Sequence, residues 1–253
     1  MTQNKDIGFF EGKYLIADIK THMILRENST TEVQARDYLC DFRGKPEIEV
    51  GVSDELIEAK RSAFPHLSVS DCEYMWSGEQ FFRNILNFDG FVLHASAVVY
   101  EGKAYLFSAP SGTGKSTHTK IWQRVFGEDN AFIINDDKPI IRLVCGKVMV
   151  YGTPWSGKDG ISQNVGVPLQ GICFLERAEE NRINSIDTKD AIYSILNQTV
   201  RPKDVCGMDR LLDVLGRVLK NTKVYRMGCN MSDDAAITAY KGMNDKQEEA
   251  FDI

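Results

Sequence analysis

Ala109-Pro110-Ser111-Gly112-Thr113-Gly114-Lys115-Ser116-Thr117 is the stretch on which the reading of this 253-residue chain turns. A small residue, four spacers and then Gly-Lys-Ser is the spacing of a phosphate-binding loop. The spacing has a mechanical cause. Glycines let the backbone curl so that successive N–H groups point inward at a polyphosphate. Lys115 then sets a charge against the β- and γ-phosphates, and Ser116 offers a hydroxyl to Mg²⁺. A helix starting here adds the positive end of its dipole. Ser111, Gly112, Thr113, Gly114, Lys115, Ser116 and Thr117 are therefore the expected nucleotide-binding residues.

The flanks support a strand–loop–helix order. Upstream, Lys103 to Ser108 is an apolar and aromatic run suited to a strand. Downstream, Ser116 to Phe126 contains no Gly or Pro and is followed by Gly127, a helix stop. The first motif position is Ala109 rather than Gly, which requires ordinary negative φ there. Before the loop strand, Phe91 to Tyr100 is strongly β-prone, and Glu101-Gly102 joins the two as a hairpin. If Tyr100 faces Lys103, constant register sets His94 opposite Ala109, about 5 Å away. His94 is then expected beside the phosphates, and a packed core histidine is the plainer alternative.

After the loop helix, Ala131 to Asn135 reads as a short buried strand that delivers Asp136 and Asp137 at its end. Carboxylates in that position serve the metal or the nucleophile, so both are candidate Mg²⁺ ligands and candidate bases. Ile140–Val144 and Val148–Tyr151 flank another hairpin turn. In the loop from Gly152 to Gly160, Lys158 is placed to reach a phosphoryl group and Trp155 to stack on a base or substrate, with a plain surface loop as the alternative.

The outer parts carry less chemistry. Residues 1–75 read as a small β-rich or mixed segment, with strands at Tyr14–Ile19 and Ile48–Val52 and a short helix at Thr31–Asp41. This segment is a docking module or a substrate-recognition element. Ser77 reads as the cap of a helix to about Asn87, with Gln80 completing a capping box. Lys189–Val200 and Met208–Leu219 are expected helices, Lys223–Met227 a strand, and Ser232-Asp233-Asp234 the cap of a last helix to about Lys241. Asn244 to Ile253 is charged and expected to fray.

Composition sets the outer bounds. The chain is 43% hydrophobic and 26% charged, as an ordinary globular protein is, and its net charge of −6 disfavours nucleic acid as a partner. No run is apolar enough to cross a bilayer, and the N-terminus lacks the apolar core of a secretion signal. The six cysteines show neither C-x-x-C nor zinc-like spacing and read as buried thiols. A cytoplasmic location with no membrane partner is the expectation.

His94, the Pro110–Ser116 loop and Asn135-Asp136-Asp137 together resemble the HPr kinase/phosphorylase family, which shares its P-loop fold with phosphoenolpyruvate carboxykinases. The likeness covers about residues 91 to 137. It implies an α/β (α+β) P-loop fold over 76–253, a mixed sheet with flanking helices like the C-terminal domain of those kinases. It also implies ATP and Mg²⁺ as cofactors. The reaction would be transfer of the γ-phosphoryl group to a hydroxyl, serine in the family, on a peptide, protein or small-molecule acceptor. Carried over, the catalytic roles fall to Asp136, Asp137, His94 and Lys115. The resemblance leaves a homo-oligomer open. Two departures stand out. Ala109 replaces the first glycine, and no E-x-R-G-x-G segment follows, Ser156 to Gly160 standing in its place without the glutamate. A phosphoenolpyruvate carboxykinase-like enzyme and a non-catalytic, nucleotide-gated binding protein are the competing readings.

Overall fold

The structure, a computed structural model, describes residues 8–245. The chain opens with β1 (Phe9–Ile16) and β2 (Ile19–Arg26), an antiparallel hairpin. The expected strand Tyr14–Ile19 is broken at its centre, because Ala17 and Asp18 take φ of 52° and 60° and form the two-residue turn. After α1 (Thr30–Ala35) and a 3₁₀ turn at Arg36–Tyr38, β3 (Ile48–Gly51) adds to β2 in parallel. Two helices follow, α2 (Asp54–Ala63) and α3 (Val69–Asn84).

The start of α3 corrects the expected cap at Ser77. Ser68 accepts from the Asp71 N–H while the Asp71 carboxylate takes the Ser68 N–H, a reciprocal box more than two turns upstream. Ser77 and Gly78 are buried mid-helix. A Cβ on Gly78 would meet the Trp155 ring at 3.0 Å, so the glycine serves close packing rather than helix initiation. Helix α3 spans residue 75 and so belongs to both expected units. It is pinned to β2 by a buried ion pair, Arg26 Nη1 to Glu73 at 2.8 Å, and Glu73 also accepts from the Ser29 hydroxyl at 2.6 Å.

The remaining strands are β4 (Gly90–Val92), β5 (Ala95–Tyr100), β6 (Lys103–Ser108), β7 (Ala131–Asn135), β8 (Ile140–Val144), β9 (Lys147–Tyr151), β10 (Gly166–Arg177), β11 (Arg182–Ser185) and β12 (Lys223–Cys229). The helices are α4 (Lys115–Phe126), α5 (Thr188–Leu196), α6 (Val205–Leu219) and α7 (Asp234–Asn244). The last of these follows Asp233, which makes no side-chain cap, against the expected Ser-Asp-Asp cap, because the Asp233 carboxylate is taken by Arg124 and Ser232 is held by Asn230 and Asn181. The charged end beyond Asp245 lies outside the described residues.

One mixed sheet runs β4-β8-β9-β10-β6-β5-β7, and β12 joins on the long strand β10 with β11 beside it. Strand β6 is parallel to β10, and β10 to β12. Strand β5 is antiparallel to both β6 and β7, which aligns β7 with β6. The C-terminal ends of β6, β7, β10 and β12 therefore meet at one edge, the side where open α/β sheets collect ligands. Tyr100 pairs with Lys103 and Ala95 with Ser108, so His94 precedes β5 at that same edge. The expected hairpin register is the observed one.

Helices α4 and α7 cover one face of the sheet, α4 setting Trp122 against Tyr105 and Phe107 in a core that also holds Met227. Helices α5 and α6 cover the other, α6 contributing Val214 and Leu215 to a core with Leu106 and Ile172 of the sheet. A third core joins the N-terminal sheet to the main one through Tyr14, Met23, Phe81, Phe82 and Trp155. Burial of such side chains contributes about 1.5–3 kcal/mol each, which makes the two sheets one packed unit. Cys72 and Cys173 are buried thiols as expected, but Cys145 and Cys206 are exposed, the first at a hairpin tip and the second in the first turn of α6. Among the described residues no helix is long and apolar enough to cross a membrane.

Candidate phosphate-binding cavity

Strand β6 ends at Ser108, and the chain turns through residues 109–114 into α4. Gly112 and Gly114 have φ of 78° and 120°, which only glycine adopts without strain. Ala109 is buried and is not among the non-glycine residues with positive φ, as its side chain requires. No side chain caps α4 at Gly114, which leaves its first amides available to an anion. Arg177, at the end of β10, fastens the loop from the side by donating to the Gly112 carbonyl at 2.7 Å.

Lys115 is 8% exposed and donates to the Ala109 carbonyl at 2.9 Å. Burial lowers its pKa, an effect that the charges of Asp137 and Asp136 oppose and that of Lys138 reinforces. The lysine thus stands at the loop with its charge internally hydrogen-bonded.

A cavity of about 480 Å³ opens in front of this loop. It is lined by His94, Ser111, Gly112, Gly114, Lys115, Ser116, Thr117, Asp136, Asp137 and Lys158, every residue expected at the site except Thr113. Thr113 faces a neighbouring cavity on the other side of the loop.

The two aspartates are held differently. Asp136, 9% exposed, accepts from the Ser96 hydroxyl at 2.5 Å, and Ser96 meets Thr119 of α4 at 2.8 Å. That chain ties the carboxylate to the helix carrying Lys115 and Ser116. Asp137, less buried, pairs with Lys138 at 2.8 Å and with His94 Nε2 at 3.2 Å. Burial disfavours its charged form, but the His94 hydrogen bond and the Lys138 charge outweigh that and hold its pKa below the usual carboxylate range. His94 Nδ1 lies 3.1 Å from Gln198 Oε1. The ring is thus held between Gln198 on one side and Asp137 on the other.

Residues Ser156–Asp159 form the far wall. Gln34 of α1 donates to the Gly157 carbonyl at 2.8 Å and accepts from the Ser156 N–H at 3.4 Å. The Tyr74 phenol oxygen of α3 accepts the Gly157 N–H at 2.9 Å. Lys158 is exposed at the rim, and Lys120 of α4 meets Asp159 at 3.1 Å. Trp155 departs from expectation. It is 1% exposed, stacks on Phe81 at 5.2 Å and donates to Ser77, so no base or substrate reaches it.

Ser96, Thr119, Gln198, Gln34 and Tyr74 were not singled out by the sequence. Ser96 was within reach, being two residues beyond His94 and hence on the same side of an extended chain. The others come from remote elements that no local pattern links to the loop.

Ser116, Asp136 and Asp137 offer only hard oxygen donors, the set that Mg²⁺ accepts. Among the described residues no cluster of three or more His, Cys, Asp or Glu side chains could hold a metal alone.

Comparison with known proteins gives three findings. A solved structure of the Hpr(Ser) kinase/phosphatase from Coxiella burnetii aligns at 8% identity with a TM-score of 0.33, covering 59% of this chain and 91% of that one. No curated protein sequence matches. A family model described as SynChlorMet cassette protein ScmC matches residues 69–231, a span running from the first residue of α3 through β12 and including the whole loop and both aspartates, and the chain therefore belongs to the ScmC family.

Proposed function

We propose that the protein is an ATP- and Mg²⁺-dependent phosphotransferase acting on a hydroxyl-bearing peptide, protein or small-molecule acceptor. The observation that carries this reading is the convergence of Lys115, Ser116, Asp136, Asp137 and His94 on one cavity at the end of a glycine loop. Loop amides and Lys115 bind the β- and γ-phosphates, and Lys158 lies within the same cavity to meet the transferred group. Asp136, tied to α4 through Ser96 and Thr119, takes the metal side with Ser116. Mg²⁺ bound there supplies charge neutralisation at the phosphates.

Asp137 takes the acceptor side. The acceptor oxygen bonds to the γ-phosphorus as the bond from phosphorus to the bridging oxygen breaks, ADP leaves with the electron pair, and Asp137 receives the hydroxyl proton. His94 and Lys138 keep that carboxylate ionised beforehand. Positioning and charge stabilisation supply most of the acceleration.

Calorimetry with Mg²⁺-ATP and transfer from γ-labelled ATP to serine-containing peptides and small hydroxyl compounds test the reading. Asp137→Asn is expected to keep ATP affinity and lose about a hundredfold or more in transfer. Lys115→Ala is expected to lose both binding and transfer. ATP affinity without turnover on any acceptor would make the protein a nucleotide-gated binder instead. Absence of Mg²⁺-dependent ATP binding would end the proposal.

A further inference from the structure

Across the phosphate loop lies a second cavity of about 470 Å³. It shares Gly112, Gly114 and Thr117 with the first, so the loop is the wall between them. The two differ in chemistry. The first holds two lysines and three aspartates, whereas the second has neither a carboxylate nor a lysine in its lining. Its walls are the buried Ile121 and Leu175 and the exposed Met231, with Arg177 and Ala178 at the end of β10 closing one side.

One buried polar group in that wall is unused. His118, 2% exposed, takes the Trp122 indole N–H on Nε2 at 3.2 Å. An indole nitrogen only donates, so the neutral ring carries its proton on Nδ1, and Nδ1 has no hydrogen-bond partner. A buried donor without a partner is costly unless a ligand or water meets it.

We propose that this second cavity takes the base and sugar of the nucleotide whose phosphates the loop holds, an inference that rests on the function proposed above. The reacting end of a nucleotide has to lie beside Asp136 and Asp137, so the nucleoside end leaves the loop on the opposite side. Apolar walls and a single buried donor suit a flat heteroaromatic ring with acceptor nitrogens on its edge. The volume falls within the range of small-molecule sites, about 300–1,000 Å³.

The test compares two probes by calorimetry on the full chain, Mg²⁺-ATP and Mg²⁺-tripolyphosphate, which lacks base and sugar. Ala178 is exposed, and Ala178→Trp fills the cavity from its rim. The expected result is that Ala178→Trp weakens ATP by about tenfold or more while tripolyphosphate stays within about twofold. Retained tripolyphosphate binding also certifies that the variant is folded. Lys115→Ala is expected to weaken both probes. If both probes bind through Lys115 but Ala178→Trp leaves ATP unchanged, the nucleoside lies elsewhere and the inference is overturned while the phosphotransferase reading stands. If neither probe binds the unsubstituted protein, that reading and the inference fall together.

Discussion

His118 offers a quantitative test of how tightly the helix after the phosphate loop is packed. The ring sits beneath α4, 4.3 Å from the Phe107 ring and hydrogen-bonded to Trp122. Burial pushes its pKa down from the ordinary 6.5 to about 4. Below pH 6.5 the unfolded chain takes up a proton that the native ring refuses, so the stability due to the neutral ring is complete above that pH and falls as the pH falls. Integrating between the two values gives a loss of about 2 kcal/mol by about pH 5 and about 3 kcal/mol near pH 4, after which the loss levels off. The comparison is with His118→Gln, whose amide oxygen can accept from Trp122 but does not titrate between pH 4 and 7. Denaturant unfolding followed by tryptophan fluorescence, at steps from about pH 7 to about pH 4, gives both profiles. The carboxylates contribute equally to each, so the difference isolates the ring. The unsubstituted protein should lose about 2–3 kcal/mol more than the variant across the range. Parallel profiles would show that the ring is not shut away from water and would refute the reasoning.

Two further outcomes separate structural from functional parts. Trp155→Ala should destabilise the fold by about 3–5 kcal/mol, as loss of a fully buried aromatic does, while Trp155→Phe should leave ATP affinity measured by calorimetry within about twofold. A large affinity loss in the phenylalanine variant at unchanged stability would restore Trp155 as a ligand-stacking residue. Tyr74→Phe should speed hydrogen exchange at the Gly157 amide, and Gln34→Ala at the Ser156 amide, each by about tenfold, the equivalent of one lost hydrogen bond, with exchange in β6 and β10 unchanged. Unaltered exchange at those two amides would mean that the loop holds its shape unaided.

Much of the site was legible because its logic is local. Glycine spacing, the Glu101-Gly102 turn and the apolar runs on each side specify β5, β6 and α4 in sequence order, and a two-residue turn fixes the register that puts His94 at the loop. Strand β7 leads into Asp136 and Asp137 for the same reason, a short apolar run stopped by polar residues. What escaped depends on distant partners. Gly78 reads as a helix terminus until Trp155, 77 residues later, is seen packed on it. The Ala17-Asp18 turn hides inside an apolar run because its left-handed backbone is held by the sheet rather than announced by Gly or Asn. Trp155 looks available in a loop rich in small residues, yet the loop folds inward against Phe81 and Phe82.

The grip of Gln34 and Tyr74 on residues 156–157 makes the front of the chain inseparable from the cavity behind it. A truncated protein that began at the first residue of α4's feeding strand would retain the glycine curl but lose the anchor that holds its opposite wall. Exchanging the opening hundred or so residues between relatives would therefore transplant the shape of the cavity in front of the glycine loop along with any recognition surface, so that the two traits would be inherited as one.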